Sequence, residues 1–202
     1  MKREFLVKQI ATTGYDVLYS AKKHFATFDI IAKAPGWITT ITLGIGVLAL
    51  ALPNLFNNAV FGSATVLVGI GAIYFGPFQD DRERYAKAGD ALLACYYDLR
   101  TLYYDVLSAE ESASVAAFED RYQSILTRSK STWIAKHIFT SDWYAHYKIF
   151  WQAQIEWLDE QLHFKLLRDK IPLSFSAAVV VCLLVSLGFF AMHIATILQG
   201  GK

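Results

Sequence analysis

The chain has 202 residues, of which 54% are hydrophobic, and its formal net charge is +1. Adding the 12 glycines takes this fraction to about 60%, against roughly 45–50% for an average soluble chain with glycine included, so the composition disfavours a simple soluble domain. The near-zero net charge gives no global argument for a nucleic-acid or acidic partner. The charges are segregated, because none lies between Lys33 and Asp80 and none between Lys170 and Lys202. A membrane protein is therefore predicted.

Residues 1–36 are predicted to form a cytoplasmic N-terminal segment. Over residues 4–33, apolar side chains recur at steps of three and four residues, which is typical of an amphipathic helix. Mixed polar residues precede the first long apolar run, so no cleavable signal peptide is predicted.

Residues 37–78 are predicted to form a transmembrane hairpin. Each membrane-spanning helix needs about 20 apolar residues, and the charge-free stretch here is long enough for two helices and a turn. A proline and three asparagines within residues 53–58 mark the turn, which leaves spans over residues 37–52 and 59–78. Lys and Arg cluster outside this hairpin, toward the N-terminal segment and residues 79–170. The positive-inside tendency therefore places both of these segments in the cytoplasm.

Residues 79–170 are predicted to form a helical cytoplasmic region. The spacing of apolar residues predicts one helix over residues 80–107. A capping-box pattern from Ser108 to Glu111 predicts that a second helix opens there and runs to about residue 128. No alternating strand pattern extends beyond a few residues, so the predicted fold class is an all-α membrane protein.

A further cytoplasmic helix is predicted over residues 142–170, with Ser141 and Asp142 as its cap and Pro172 as its end. Four aromatic residues repeat along it every seven residues. They are Trp143, Phe150, Trp157 and Phe164. One interpretation is packing against the protein's own cytoplasmic helices, and the other is a seam between copies of the chain in a homo-oligomer. Both can hold together.

Residues 171–202 are predicted to form a third transmembrane helix and a short tail. The stretch over residues 173–198 carries no formal charge and is longer than a bilayer core requires, so it should tilt or protrude. Small and polar residues lie close to one face of this helix and are candidate pore-lining positions. They are Ser174, Ala178, Cys182, Ser186 and His193. The competing interpretation is helix packing, with His193 at the membrane interface.

Basic residues near the predicted membrane boundaries are candidates for phosphate binding. They are Lys22, Lys23, Arg82, Arg84, Lys165 and Arg168. If their helices converge, these residues form a cytoplasmic basic ring, and nearby tyrosines would stack on bases. The tyrosines are Tyr96, Tyr97, Tyr103 and Tyr104. The alternative is that the charges set topology and meet anionic lipid headgroups, while the tyrosines pack in the core.

The sequence shows no catalytic pattern. No two histidines have the i, i+4 spacing of a helical metal site, the two cysteines are far apart, and no glycine-rich phosphate loop is present. We therefore predict no catalytic residue, no metal site and no cofactor, and we expect that the protein is not an enzyme.

Three sequence segments carry a family resemblance. They are residues 14–37, with GYD, AKKHFATFDI and KAPGW, residues 95–104, CYYDLRTLYY, and residues 160–168, EQLHFKLLR. On these segments the chain resembles SLATT-domain proteins over nearly its whole length. The resemblance implies a membrane effector of bacterial conflict systems that is paired with a nucleotidyltransferase making a nucleotide signal, and that forms pores.

The expected function combines these points. It is a homo-oligomeric pore or ion channel in the bacterial inner membrane, acting in anti-phage defence and gated by a cyclic nucleotide or short oligonucleotide bound to its cytoplasmic part. The expected partners are membrane lipid, copies of the same chain, the nucleotide ligand and the nucleotidyltransferase. The alternative is a membrane scaffold that recruits a cytoplasmic partner through the helix over residues 142–170. A small transporter is disfavoured because the sequence has no internal repeat.

Overall fold

The computed structural model of the chain describes residues 2–52, 58–110 and 113–200. Within them it has eight α-helices and no strand, so the prediction of an all-α fold is confirmed. The helices are α1 Arg3–Ala51, α2 Asn58–Gln79, α3 Arg82–Ser108, α4 Val115–Lys130, α5 Ser141–Gln152, α6 Glu156–Leu162, α7 Leu166–Asp169 and α8 Leu173–Gly200. The helix predicted over residues 80–107 corresponds to α3.

The chain divides into two compact units, Met1–Leu162 and His163–Lys202. In the first unit α1 packs against α3 and also contacts α2, α4, α5 and α6. Apolar residues at helical spacing on α1 and α3 form the core between them, as the sequence periodicity predicts. Those fully buried there include Leu6, Ile10, Leu18, Leu92, Leu99 and Leu102. The second unit contains α7 and α8.

α1 is one helix of 49 residues that continues through Pro35, whereas the sequence predicts an amphipathic helix and a separate span. A proline inside a helix leaves the carbonyl four residues earlier without its backbone donor. That carbonyl belongs to Ile31, and it accepts a hydrogen bond from the side-chain amide of Gln79 at 3.1 Å. Because α2 supplies the missing donor, the amphipathic segment and the first span are continuous.

The hairpin helices have the character of membrane spans. α1 and the Phe61–Gln79 part of α2 are long and apolar enough to cross a bilayer. Large apolar side chains on their membrane part are exposed, among them Leu50 and Ile73, as expected of helices that face lipid. The predicted turn at residues 53–58 lies, apart from Asn58, outside the described residues. In the second unit α8 begins with the apolar stretch Leu173–Gly188, and its crossing of the membrane stays a prediction.

The predicted start of the helix after α3 is wrong. Ser108 is the last residue of α3, and its hydroxyl donates a hydrogen bond to the carbonyl of Asp105 at 3.3 Å. α4 begins later, at Val115, with Ser114 as its N-cap residue. The side chain of Ser108 therefore serves the end of one helix rather than the start of the next, and Glu111 lies outside the described residues.

The single helix predicted over residues 142–170 is also wrong, because α5, α6 and α7 occupy this range with two breaks. At the first break Ala153 is extended, and the carbonyl of Gln154 accepts a hydrogen bond from the hydroxyl of Tyr96 at 3.1 Å. At the second break His163 has a left-handed backbone, with φ of 52°. The N-cap position of α5 is Thr140, and Ser141 is its first helical residue. The carbonyl of Gln154 thus accepts a hydrogen bond from the distant Tyr96, in place of the backbone hydrogen bond that a continuous helix would provide.

Candidate functional site

A cavity of about 930 Å³ lies between α1, α4 and the segment of residues 131–140 that follows α4. We call it the α1–α4 cavity. Polar and ionisable side chains alternate along its wall with a few apolar ones. Those with ionisable, hydroxyl or indole groups are Thr13, Asp16, Tyr19, Ser20, Lys23, His24, Ser129, Lys130, Trp133 and His137. Its size suits a ligand larger than a single metal ion or small acid, and its polar groups are set in a wall whose surface is mainly apolar.

Lys23 is held at the wall by an ion pair. Its Nζ lies 2.6 Å from Oδ1 of Asp142, which also accepts a hydrogen bond from the hydroxyl of Tyr19 at 2.8 Å. Burial raises the pKa of Asp142, but the hydrogen bonds from Lys23 and Tyr19 outweigh it and keep that pKa below its usual value. The bridge therefore joins α1 to the first turn of α5.

Two histidines join the segment of residues 131–140 to α1. Nδ1 of His24 lies 2.6 Å from the carbonyl of Ser20, so it donates, and Nε2 is left to accept the backbone N–H of Ile134 at 3.3 Å. The ring of His137 packs edge-on against that of His24, with centroids 4.6 Å apart. Its Nδ1 lies 3.0 Å from Oγ1 of Thr27, whose own hydroxyl donates to the carbonyl of Lys23. This arrangement requires His24 to be neutral, because its Nε2 accepts, and it makes Nδ1 of His137 a donor to Thr27.

Acidification is expected to destabilise the first unit through His137. Burial first, and then the neighbouring His24, lower the pKa of His137 to about 4, from 6.5 in the unfolded chain. Below pH 6.5 the unfolded chain binds this proton first, so the free energy of unfolding falls as the pH drops from 6.5 toward 4. The melting temperature, followed by tryptophan fluorescence, should fall over this range.

His137→Gln separates the contribution of His137 to the pH dependence of stability from the contribution of the carboxylates. The variant should show a shallower fall of melting temperature with pH than the parent, whereas His163→Gln, at an exposed histidine of the second unit, should keep the parent slope. Equal slopes for the parent and His137→Gln would remove His137 from the explanation.

The chemistry of the α1–α4 cavity is that of binding. Trp133, which is 62% exposed, offers a flat ring at the wall, and Lys130 forms no ion pair within the part of the chain that the structure describes. Two lysines and an indole can hold phosphate oxygens and a base. Among the described residues, no group of three His, Cys, Asp or Glu side chains is close enough to hold a metal ion.

A second, smaller cavity of about 260 Å³ lies between α1, α3 and the break after α5. We call it the Lys22 cavity. Its lining residues are Leu18, Lys22, Leu93, Tyr96, Tyr97, Arg100, Gln152, Ala153 and Gln154. It shares no lining residue with the α1–α4 cavity, so adjacent lysines of α1 serve two separate cavities.

The predicted basic residues lie on several surfaces. Lys22 and Lys23 line different cavities, and Arg82 pairs with Glu83 at 3.4 Å and lies over the ring of Phe28. Arg84 is exposed, paired with Asp81 at 2.7 Å. Lys165 and Arg168 belong to the second unit. The structure therefore does not bring the four basic residues of the first unit into one ring.

The predicted basic residues also differ in their distance from the predicted membrane spans. Lys23 lies 14 positions before Trp37 on an unbroken helix, or about 21 Å along its axis. Lipid headgroups extend only about 5–8 Å beyond the hydrocarbon core on each side. If the first span begins at Trp37, as the sequence predicts, Lys22 and Lys23 lie beyond the headgroups. Contact with headgroups stays a prediction for Arg82 and Arg84.

The four predicted tyrosines divide into two kinds. Tyr96 and Tyr103 are buried, and both contact the ring of Trp157. Tyr97 and Tyr104 are exposed. The core interpretation therefore fits the first two tyrosines, and Tyr97 alone of the second two lines a cavity described here.

The aromatic heptad does not form one stripe. Trp143 and Phe150 lie on α5, Trp157 on α6, and Phe164 in the second unit. Trp157 is 1% exposed and is enclosed by the first unit itself. Its side chain packs within the chain, as the intramolecular interpretation predicts, and a seam between copies stays a prediction for the other three.

The candidate pore-lining residues all lie on α8. Ser174, Cys182 and Ser186 are exposed in the second unit and Ala178 is half-buried, while the side chain of His193 lies outside the described residues. The hydroxyl of Ser186 donates to the carbonyl of Cys182 at 2.8 Å. Their role in a pore stays a prediction.

Several cavity residues were not singled out from the sequence. They are Lys130, Trp133, His137 and Arg100. A signal was present for three of them, because residues 128–137 place Trp133 and His137 among the basic residues Arg128, Lys130 and Lys136 between two predicted helices. For Arg100 the only signal was its place next to the exposed tyrosines of α3.

A family model described as SMODS and SLOG-associating 2TM effector domain 6, SLATT_6, matches residues 1–179. The match covers the first unit and continues into α8. No curated protein and no solved structure matches the chain.

Proposed function

Because this chain belongs to the SLATT family of membrane effector domains associated with SMODS and SLOG nucleotide signalling, we propose that it forms a nucleotide-gated pore. In this proposal several copies assemble in a bacterial inner membrane, with the N-terminal part and residues 79–170 in the cytoplasm, and act in anti-phage defence. The gating ligand is a cyclic nucleotide or short oligonucleotide made by a partner nucleotidyltransferase. It binds in the α1–α4 cavity.

The continuity of α1 is the observation that carries this proposal. The same helix supplies Lys23 and His24 to the cavity and then, beyond Pro35, enters the membrane as an apolar span. A rigid helix transmits a displacement of one end to the other without an intervening joint. A ligand at the cavity therefore acts directly on a membrane-spanning element.

The ion pair between Lys23 and Asp142 supplies the gating step. A phosphate in the cavity competes with Asp142 for the ammonium group of Lys23. Losing Lys23 leaves Asp142 with the hydrogen bond from Tyr19 alone and so weakens the attachment of the first turn of α5 to α1. The ligand therefore favours the state in which α1 and α5 are less tightly joined. This difference in affinity between two states is what a gating ligand requires.

A pore needs more than one copy of the chain. Two membrane-spanning helices cannot surround a water-filled path, so the hairpin of one chain must associate with others. The residues proposed to line the path are on α8: Ser174, Ala178, Cys182, Ser186 and His193. Lipid contacts and homo-oligomer formation are parts of the same proposal.

Removing the cavity cations is expected to weaken ligand binding. Lys23→Gln and Lys130→Gln should each raise the Kd of a cyclic dinucleotide roughly tenfold or more, because charge-assisted hydrogen bonds contribute about 1.5–3 kcal/mol. Isothermal titration calorimetry on the full chain in detergent measures this with a panel of cyclic di- and trinucleotides. Lys8→Gln, at an exposed lysine of α1 that lines neither cavity, is the matched control.

Asp142→Asn is expected to change the Kd in the opposite direction. It therefore tests whether the ligand phosphate competes with Asp142 for Lys23. It removes the rival anion of Lys23 while keeping an oxygen that accepts from Tyr19, and binding should tighten. If neither lysine variant weakens binding and Asp142→Asn leaves it unchanged, the ligand does not bind in this cavity.

A membrane scaffold is the second candidate function, and exposed aromatic residues favour it. On and next to α5, Phe139, Tyr147 and Trp151 are exposed, as in surfaces that recruit a protein partner. Conductance measurements on liposomes separate the two functions. The pore proposal expects ligand-dependent conductance, and the scaffold expects none.

A further inference from the structure

The Lys22 cavity holds two cations without a carboxylate partner. Lys22 on α1 and Arg100 on α3 are both half-buried, and neither forms an ion pair within the described residues. Burial first, and then the charge of Lys148, lower the pKa of Lys22. An unpaired, partly desolvated cation is costly, and an anion at this position would stabilise it.

The nearby charges do not neutralise this pair. Lys148 is already bonded to Asp29 and lies over the ring of Tyr144, 4.5 Å from its centroid. Glu156 acts on the buried Tyr96 hydroxyl but does not line the cavity. The cavity wall therefore remains cationic.

Neutral groups complete the lining in a way that suits a planar ligand. Tyr97 is 53% exposed and lines the cavity, so a face of its ring is accessible. Gln152 and Gln154 flank Ala153, where α5 ends and the chain becomes extended. The break in the predicted helix thus brings two residues whose amide side chains can donate hydrogen bonds to the wall of the cavity.

We propose that the Lys22 cavity is a second ligand site, which binds a phosphate monoester bearing a planar ring and the size of one nucleotide. Lys22 and Arg100 hold the phosphate, and the ring stacks on Tyr97. The cavity of about 260 Å³ takes one phosphate and one ring, whereas the α1–α4 cavity takes a larger ligand. This site is independent of the gating ligand proposed above.

A lipid headgroup carries the same phosphate chemistry, but the position of the cavity disfavours it. Lys22 lies 15 positions before Trp37 on α1, or about 22 Å along the helix from the first span. A headgroup would have to leave the interface to reach it.

The test uses the full chain in detergent, with adenosine 5′-monophosphate and ribose 5-phosphate as probes in calorimetry. Lys22→Gln and Arg100→Gln should each weaken the binding of both probes roughly tenfold or more. Lys22→Arg, which keeps the charge, should retain most of it. Tyr97→Leu should weaken the binding of adenosine 5′-monophosphate alone, because ribose 5-phosphate has no aromatic base to stack.

Three controls make the result specific: a variant outside both cavities, the melting temperature of each variant, and a comparison of two lipids. Lys87→Gln, at an exposed lysine of α3 outside both cavities, should bind both probes like the parent, and each variant should keep the parent's melting temperature. In nanodiscs, phosphatidylglycerol and phosphatidylcholine should give the same affinity. The proposal is overturned if the parent binds neither probe, if the glutamine variants bind as tightly as the parent, or if phosphatidylglycerol competes for the site.

Discussion

Trp157→Ala is expected to lower the free energy of unfolding of the first unit by roughly 3–5 kcal/mol. The indole is enclosed between α1 and α3, where its Nε1–H donates to the hydroxyl of Tyr96 at 2.9 Å and its ring packs on Tyr103. Truncation leaves a cavity and removes the donor. Chemical denaturation followed by circular dichroism measures the loss.

The close packing of Gly14 against Trp157 explains why the neighbouring residues cannot fill the cavity that Trp157→Ala creates. Gly14 of α1 lies against the indole so closely that a Cβ there would be 2.5 Å from Cη2. α1 and α6 approach at this point because the small residue leaves room for the large one. Neighbouring side chains on a rigid helix cannot shift into the volume that Trp157 vacates.

Trp151→Ala is the matched control. This tryptophan lies on α5 and is 72% exposed, so its removal should change the free energy of unfolding by less than about 0.5 kcal/mol. If Trp157→Ala instead dissociated an oligomer while each chain kept its full stability, Trp157 would belong to a seam between copies.

Helix positions could be predicted from the sequence where the determinants are local. The apolar spacing of α3 lies within the chain itself, and the predicted helix over residues 80–107 closely matches Arg82–Ser108. The apolar, charge-free stretch around the hairpin likewise predicts α2. The spacing of apolar residues and the position of charges suffice to predict α2 and α3, because burial of one face stabilises α3 and contact with lipid stabilises α2.

Whether a helix continues or ends depends at two points on hydrogen-bond partners that are distant in sequence. Pro35 is tolerated because Gln79 bonds to the carbonyl of Ile31, and α5 ends because Tyr96 bonds to the carbonyl of Gln154. Neither partner can be read from the local pattern, which favours a break at the proline and a helix through residue 154. The tertiary hydrogen bonds reverse both expectations.

The sequence predicted lysines of α1 as candidate phosphate-binding residues, but it did not predict which residues line a cavity together. Lys22 and Lys23 are adjacent, and a turn of 100° per residue sends them to different neighbours on α1. Their partners, Arg100 for one cavity and Lys130 for the other, come from α3 and α4. The sequence singled out Lys22 and Lys23, whereas only the packing of three helices adds Arg100 and Lys130 and divides the four cations between two cavities.

Softening α1 between the cavity and the membrane is expected to abolish ligand gating while leaving ligand binding intact. Ala32→Gly with Ala34→Gly adds two glycines to Gly36, so that three glycines lie within residues 32–36 beside Pro35. Each glycine weakens a helix by about 1 kcal/mol relative to alanine. Coupling between two sites is typically about 1–3 kcal/mol, so a flexible joint can remove most of it.

The measurement pairs calorimetry with conductance in liposomes, using whichever cyclic di- or trinucleotide binds the parent. Pro35→Ala with Gly36→Ala is the matched control, because it changes the same stretch toward helix-forming residues and keeps Lys33. This control should gate at least as strongly as the parent, whereas the glycine variant should bind with the parent's Kd and show little ligand-dependent conductance. Normal gating in the glycine variant would mean that the signal reaches the membrane by a route other than α1, through α2 or α3, and would overturn the mechanism proposed for the continuous helix.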